Sequence, residues 1–446
     1  MNAKPMKHVL VLGAGRVARP AVRYLLQQPG FRVTLADLEA GRAEAIVEAH
    51  PNGRAVVADL ARRSEMDVLV GEADVVISLL PPDCHAAVAE VCVDRRRPLL
   101  TTSYVSPAMR SLDERARKAG VLLLNEMGLD PGIDHMSAKQ VIHRVRRGGG
   151  RIRAFTSACG GLPAPDANDN PWGYKFSWSP LGVLRACGAS ARFRKDGAIV
   201  EQPAGTIFDH PDSMEIEGVG TLESYPNRDS LAYADLYDIQ EAQSILRATL
   251  RYPGWCRTLR AVMAAGFLDA TPRSWPEGAD LADFTRSLLP GPVTGSVRAA
   301  LARQLGLSED ADPVRCMDWL GLFGEDPVPL RQGSPLEVLA ARMQARMTYG
   351  PGERDMIVLR HVFRVENSDG SCEQITATLT EFGTPHGDSA MSRTVGLPVA
   401  IGARLVAEGR ITGVGVGIPV GPHVYEPVLT ALEGLGIRLI EQSQPA

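Results

Sequence analysis

The stretch KHVLVLGAGRVA, residues 7–18, decides the fold. A short apolar run breaks at Gly13-Ala14-Gly15 and passes, at Val17, into a helical pattern that Ala21, Tyr24 and Leu25 continue. A strand that feeds a glycine turn and then a helix is the context in which G-x-G-x-x-(G/A) has a physical meaning. The first glycine permits the tight turn, the second lets a pyrophosphate approach the backbone, and a small third residue, here Ala18, lets helix and strand pack closely. The free N–H groups and the positive end of the helix then face the phosphates. Gly13, Ala14, Gly15, Arg16 and Val17 are the candidate pyrophosphate contacts.

Outward from this turn, FRVTLAD (31–37) reads as a second strand closing on Asp37. An acidic group about 20 residues beyond the first glycine is placed to hold ribose hydroxyls. A carboxylate there repels the 2′-phosphate of NADP, and Leu38 follows it where an arginine would hold that phosphate. NAD is the expected cofactor, with NADP as the alternative; the plainer role for Asp37 is to cap the next helix. Strands at 55–59, 74–80, 98–104 and 121–127 then alternate with helices over about 40–50, 84–95 and 107–119. Strands apolar throughout, alternating with helices, indicate a parallel sheet covered on both faces. Asp59 and Leu60 end the third strand, where the adenine would lie, and Ser78, Leu79 and Leu80 end the fourth, where open sheets bind their ligands.

After GGG (148–150) the pattern changes. β-prone segments continue from 151 to about 225, and from about 239 to 347 the helical period dominates, in ILRATLRY, TLRAVMAAGFLD, VRAALARQLG and PLEVLAARMQARM. The segments 353–366 and 373–382 alternate like an antiparallel pair, a helix follows over about 389–408, and a strand, helix and strand end the chain. GVGVGIPVGP (413–422) mimics a phosphate loop, but it reads as a turn followed by a proline-rich tail rather than a helix. The expected class is α/β: a Rossmann doubly wound parallel sheet plus a mixed α/β substrate domain with a helical subdomain. The expected bounds are 1–130 for the dinucleotide domain, 131–238 and 348–388 for the substrate domain, 239–347 for the helical subdomain, and 389–446 for a C-terminal return onto the first domain.

The 446 residues carry 48 basic and 52 acidic side chains, a formal net charge of -4, with no basic arm. That disfavours a nucleic-acid partner, and no apolar run reaches the ~20 residues of a membrane span. Residues 1–15 leave no room for an apolar leader. The seven cysteines are odd in number and never spaced C-x-x-C, which argues against a disulfide framework and a metal site and for a reducing, cytoplasmic location.

Longer motifs carry a resemblance. TTSYVSPAM (101–109), NEMGLDPGIDHMSA (125–138), CGGLPAP (159–165), YKFSWSPLGVL (174–184), YPNRDS (225–230), TLRY (249–252), WLGLFG (319–324), YGPGERDMIVLRH (349–361) and MSRTVGLP (391–398) follow in order over nearly the whole chain. They resemble saccharopine dehydrogenase of the glutamate-forming type. That resemblance implies oxidation of saccharopine, a lysine joined to glutamate through a secondary amine, to L-glutamate and 2-aminoadipate 6-semialdehyde. It also implies a choice between an NAD branch in lysine breakdown, often fused to a reductase, and an NADP branch in lysine synthesis. Asp37 resembles the first. A stand-alone chain of that branch would work beside a separate lysine-ketoglutarate reductase; oligomeric state, a homodimer included, is left open. Rival readings are an oxidoreductase acting on a related amino acid-derived secondary amine and a nucleotide sensor without turnover.

The same resemblance places Arg228 and the segment Thr249-Leu250-Arg251 at the substrate, Ser103 and Tyr104 at substrate and nicotinamide, and extends the cofactor contacts to Leu129 and Asp130. Guanidinium groups suit a substrate with three carboxylates. Asp130 has three open roles: accepting the amine proton, binding the ammonium, or stabilising the turn before Pro131. Cys159, before Gly160-Gly161, is read as a contact near the nicotinamide, since hydride transfer needs no thiol nucleophile. Lys175 would bind a carboxylate, or act as a base if burial lowered its pKa. Among Asp130, Tyr104, Cys159 and Lys175 the sequence does not choose an acid–base group.

Overall fold

The computed structural model describes residues 6–446, and the chain divides into two compact units. The leader-free start expected for residues 1–5 lies outside the described residues. The first unit comprises residues up to Arg151, with Asn367–Ser371 and Asp388–Gln442; the second comprises Ile152–Glu366, Cys372–Gly387 and Ser443–Ala446.

The first unit opens with β1 (Lys7–Leu12), α1 (Ala18–Leu26), β2 (Phe31–Asp37), α2 (Ala40–Val47), β3 (Gly53–Val57), α3 (Arg63–Glu72), β4 (Val75–Ser78), α4 (His85–Asp94) and β5 (Leu99–Thr101). It continues with α5 (Pro107–Arg110), α6 (Asp113–Ala119), β6 (Leu122–Leu124) and α7 (Ile133–Arg147). These six strands lie parallel in the order β6-β5-β4-β1-β2-β3. That is the doubly wound order, in which the chain reverses its direction of travel between β1 and β4 and leaves a crevice at the carboxyl ends. Val9, Leu10, Val11 and Leu12 are fully buried because helices cover both faces, which is why the strand reads as a continuous apolar run. The compact unit runs on through α7 to Arg151, past the boundary expected at 130, because Ile133, Met136, Ala138, Val141 and Ile142 of that helix are buried.

The second unit holds β7 (Arg151–Pro163), α8 (Pro180–Cys187), the hairpin β8 (Ala191–Lys195) and β9 (Ala198–Gln202), β10 (Asp212–Ile216), β11 (Gly220–Pro226), α9 (Tyr233–Tyr237) and β12 (Ser244–Arg251). Then come α10 (Trp255–Ala264), β13 (Arg273–Ser274), α11 (Leu281–Leu288), α12 (Val297–Gln304), α13 (Asp312–Trp319), β14 (Gln332–Gly333), α14 (Pro335–Arg346), β15 (Asp355–Glu366) and β16 (Cys372–Phe382). Its sheet runs β10-β11-β12-β7-β15-β16, with β15 and β16 antiparallel in an eleven-pair register, Met356↔Phe382 to Glu366↔Cys372. ILRATLRY, expected to be helical, is instead β12, parallel to β7 and antiparallel to β11. A strand flanked on both sides buries Ile245, Arg247, Ala248, Leu250 and Arg251 and loses the alternation that marks a strand. The helical segment shares one core with this sheet: Trp255, Leu259, Phe284 and Leu339 pack in the same cluster as Ala158, Leu222 and Leu250.

The chain then completes the first unit with α15 (Ala390–Ala407), β17 (Gly415–Gly417) and α16 (Pro422–Glu433), and ends in β18 (Ile440–Pro445). α15 lies along α1 so closely that a Cβ on Gly396 would stand 2.4 Å from the Val17 carbonyl oxygen. Only glycine allows this approach, so Gly396 in MSRTVGLP braces the turn that opens α1. β17 adds a parallel edge strand beside β6. GVGVGIPVGP is therefore a strand and loop followed by α16, a correction to the expected tail: Pro422 opens that helix, where proline's missing N–H costs nothing.

Candidate active site

The glycine turn is built for an anion. Gly13 has φ 99°, and a Cβ on it would meet the Leu79 carbonyl oxygen at 3.1 Å, so the turn is pressed against the end of β4. Gly15 is exposed with nothing within 4 Å of its would-be Cβ, which leaves the space a pyrophosphate needs. α1 has no side-chain cap and no acidic residue in its first turn, so its N-terminal N–H groups and dipole are left for a ligand. A dinucleotide fits this arrangement.

Asp37 sits at the edge of the same turn. Its Oδ2 accepts from the Ala14 N–H at 2.7 Å and its Oδ1 from the Glu39 N–H at 2.9 Å. The carboxylate is thus fixed between the glycine turn and the residue that precedes α2, although no side chain caps that helix. Leu38 beside it is 68% exposed, an apolar surface at the sheet's carboxyl edge. Asp59 accepts from the Ala61 N–H at 3.1 Å and pairs with Arg62 at 3.2 Å, and Leu60 is half-buried. Leu79 bonds back to Leu12, its N–H donating to that carbonyl at 2.8 Å.

Beyond β4 and β5 lies a polar cluster that the sequence did not announce. His85, the first residue of α4, is buried; its Nδ1 bonds Ser78 Oγ at 2.9 Å, and its Nε2 bonds Ser103 Oγ at 2.9 Å and Thr101 Oγ1 at 3.1 Å. Burial pushes its pKa down to about 4, so the ring is neutral at ordinary pH. The loop after β5 is held from another side as well. Glu126, at φ 61°, accepts from the Val105 N–H at 3.0 Å through Oε1 and meets His135 Nε2 at 2.7 Å through Oε2. Between these anchors the Tyr104 hydroxyl donates to Asp130 Oδ1 at 2.8 Å, and both side chains are partly exposed. Leu129 is buried, its carbonyl accepting from the Asp134 N–H at 3.0 Å. Ser103, Tyr104 and Asp130 are thus brought together at the carboxyl end of the first sheet. A lone histidine opening an apolar helix, HAAVAEVCVD, reads as structural; the one available signal was its spacing after the Ser78 strand end.

In the second unit, β12 pairs with β7 so that Thr249 stands opposite Cys159. Gly160 makes the strands meet closely: a Cβ there would lie 2.6 Å from the Leu250 carbonyl oxygen. Cys159, Thr249, Leu250 and Arg251 are therefore neighbours. Arg251 is 7% exposed, and its guanidinium carbon lies 4.8 Å from the Tyr174 ring centre and 5.5 Å from that of Trp255. Its Nη1 donates to the Leu250 carbonyl at 2.7 Å, while its Nε is buried without a partner. Among the described residues no carboxylate lies at ion-pair distance. Glu223, across the ladder from Arg251, is committed elsewhere, accepting from the Gly254 and Cys256 N–H groups at 2.7 and 3.0 Å at the start of α10. Arg228 is exposed in the turn after β11, at φ 57°.

Lys175 is placed differently from the base considered for it. Its Nζ donates to both Glu353 oxygens at 2.7 Å and meets Asp169 at 2.9 Å. Burial alone would lower its pKa, but the bonds to Glu353 and Asp169 together outweigh that and raise it. Held in this way as ammonium, Lys175 is poorly suited to accept a proton. The pairing also joins two of the quoted motifs, YKFSW and YGPGERD.

Comparison with known proteins finds relatives along nearly the whole chain. Residues 9–124 match the saccharopine dehydrogenase NADP binding domain and residues 128–437 the saccharopine dehydrogenase C-terminal domain. A Schizosaccharomyces pombe protein named saccharopine dehydrogenase [NADP(+), L-glutamate-forming] is 37% identical over 98% of this chain and 99% of its own. The mitochondrial alpha-aminoadipic semialdehyde synthase of Bos taurus is 36% identical over 98% of this chain but only 48% of its own length. The solved apo saccharopine dehydrogenase (L-Glu forming) of Saccharomyces cerevisiae superposes with a TM-score of 0.91 at 36% identity, covering 98% of this chain and 100% of that one. Among the described residues no helix is long and apolar enough to cross a membrane.

Proposed function

The chain belongs to the saccharopine dehydrogenase family of NAD(P)-dependent oxidoreductases, and on that premise we propose that it oxidises saccharopine to L-glutamate and 2-aminoadipate 6-semialdehyde in lysine breakdown, with NAD preferred. The observation that carries this reading is Arg251, a buried guanidinium with no carboxylate of its own beside Cys159 and Thr249. A substrate bearing three carboxylates supplies the missing anion. Arg228, exposed on the next turn, offers a second cation.

The dinucleotide, when bound, accepts the hydride. The protein's own residues position and move protons. Gly13 to Val17 hold the pyrophosphate and Asp37 the ribose hydroxyls. Asp130 takes the proton from the secondary amine, its carboxylate oriented by the Tyr104 hydroxyl at Oδ1. Tyr104 and Asp130 then serve the water that splits the oxidised substrate. Cys159 contributes a contact, and Lys175 shapes the second unit from behind its ion pair. Saccharopine would come from a separate lysine-ketoglutarate reductase, and the setting is cytoplasmic.

A second reading, an NADP-dependent enzyme of lysine synthesis, draws on the fission-yeast relative's name. Absorbance at the reduced-nicotinamide band, with saccharopine and either NAD or NADP, separates the two. A fast rise with NAD is expected, and Asp37→Ala is expected to shrink the NAD preference. A rise with NADP alone would move the chain to the second reading. No rise with either, from folded protein that binds dinucleotide, would sink the substrate assignment.

A further inference from the structure

We propose that His85 is a positioning residue: through Nε2 it fixes the hydroxyl of Ser103, and Ser103 meets the nicotinamide half of the bound dinucleotide. This deepens the dehydrogenase reading above and rests on it for the reaction, though not for the binding.

The sheet places the parts. Leu12, Ser78 and Thr101 stand in register on β1, β4 and β5, at the carboxyl edge just before the glycine turn. A dinucleotide whose pyrophosphate sits on Gly13 to Val17 and whose adenosine ribose reaches Asp37, at the end of β2, must extend its other half over β4 and β5. Ser103 lies there. Of the three hydroxyls around the His85 ring, Ser78 and Thr101 are fully buried, and only Ser103 belongs to a partly exposed residue. It is the one that can reach a ligand.

The imidazole spans two strands, with Ser78 Oγ at 2.9 Å on one nitrogen and Ser103 Oγ at 2.9 Å on the other. A neutral ring offers one N–H and one lone pair, so the sense of the Ser78 bond determines what Ser103 receives.

The test compares NADH with ADP-ribose, which lacks the nicotinamide, for binding to the purified full chain, alongside saccharopine turnover. His85→Leu and Ser103→Ala are each expected to weaken NADH about fivefold, the worth of one neutral hydrogen bond, and to leave ADP-ribose unchanged. Their double variant is expected to lose no more than either one. His85→Gln, whose amide reaches Ser103, is expected to recover NADH binding and kcat; His85→Asn, which reaches only Ser78, is not. Additive losses, an equal fall for ADP-ribose, or full function in His85→Asn would overturn the proposal. Should His85→Leu fail to fold, Ser103→Ala and the Gln and Asn pair still decide it. A wild-type chain that binds NADH but leaves saccharopine untouched would remove the dehydrogenase reading and leave the binding comparison intact.

Discussion

Two regions of the second unit each bury a cation, and they treat it in opposite ways. Lys175, 5% exposed, is met by Glu353 and Asp169. Arg251, 7% exposed, has only the carbonyl of the residue before it and the faces of Tyr174 and Trp255. A guanidinium does not shed its proton, so Arg251 carries its charge into the interior with one carbonyl and two aromatic faces but no carboxylate beside it. Burying an unpaired charge is costly unless something else gains from it. Lys175 is matched by the carboxylates of the fold that surrounds it; Arg251 has no such partner, and under the proposed function a substrate carboxylate would supply one. Burial alone therefore does not distinguish these two cations, but the presence or absence of a carboxylate partner does.

Arg251→Met should separate the two cations most widely. Loss of a charge-assisted bond to a substrate carboxylate, about 3 kcal/mol at the upper end, should lower kcat/KM for saccharopine on the order of a hundredfold. The melting temperature should hold or rise, since an uncompensated charge is gone. A melt that drops with kinetics untouched would recast Arg251 as a staple between two rings.

Lys175→Met should do the reverse. Stability should fall by about 2 kcal/mol, because Glu353 and Asp169 lose their shared cation, while kcat at saturating saccharopine stays within a few-fold. The double variant Lys175→Met/Glu353→Gln should regain part of the loss. The pH dependence follows from the raised pKa of Lys175. A group raised on folding stabilises fully below its unfolded pKa and loses that contribution as pH climbs through the folded value. On the alkaline side the ion pair should thus hold across neutral pH and be lost in strong alkali, above about 10. A neutral-range limb in the pH–rate profile that disappears in Lys175→Met would return the lysine to the chemistry.

Local chemistry was legible in the sequence, and long-range pairing was not. Gly13, Gly15 and Asp37 lie within one strand–turn–helix–strand unit, so spacing alone groups them as candidates, and the structure ties Asp37 to Ala14 directly. Ser103, Tyr104 and Asp130 came from motif resemblance, and they do meet at the end of one sheet. Lys175 misled because its partner Glu353 lies 178 positions on, beyond any local pattern. ILRATLRY reads as helical because a strand buried on both sides carries no alternation, and Pro422 reads as part of a tail because a proline that opens a helix looks like one that ends a chain segment. His85 is hardly legible as a site residue, because its spacing after the Ser78 strand end is the one local signal and the hydroxyls of Thr101 and Ser103 come from the end of another strand.

His85 adds a third treatment of a buried basic group, and it supplies the smallest of the expected effects. Where Lys175 is paired and Arg251 is not, His85 drops its charge: burial holds its pKa at about 4. A histidine lowered on folding contributes stability above its unfolded pKa and loses it as pH falls toward the folded value. Between the ordinary value near 6.5 and about 4, protonation should progressively favour the unfolded chain. From pH 7 to about 5.5 the wild type should therefore lose on the order of 1 kcal/mol more than His85→Leu, read from denaturant titrations at each pH. Parallel curves would mean that the ring gains a proton without penalty in the fold. In that case an unrecognised anion shares its site, and the neutral ring that orients Ser103 would no longer be the right description.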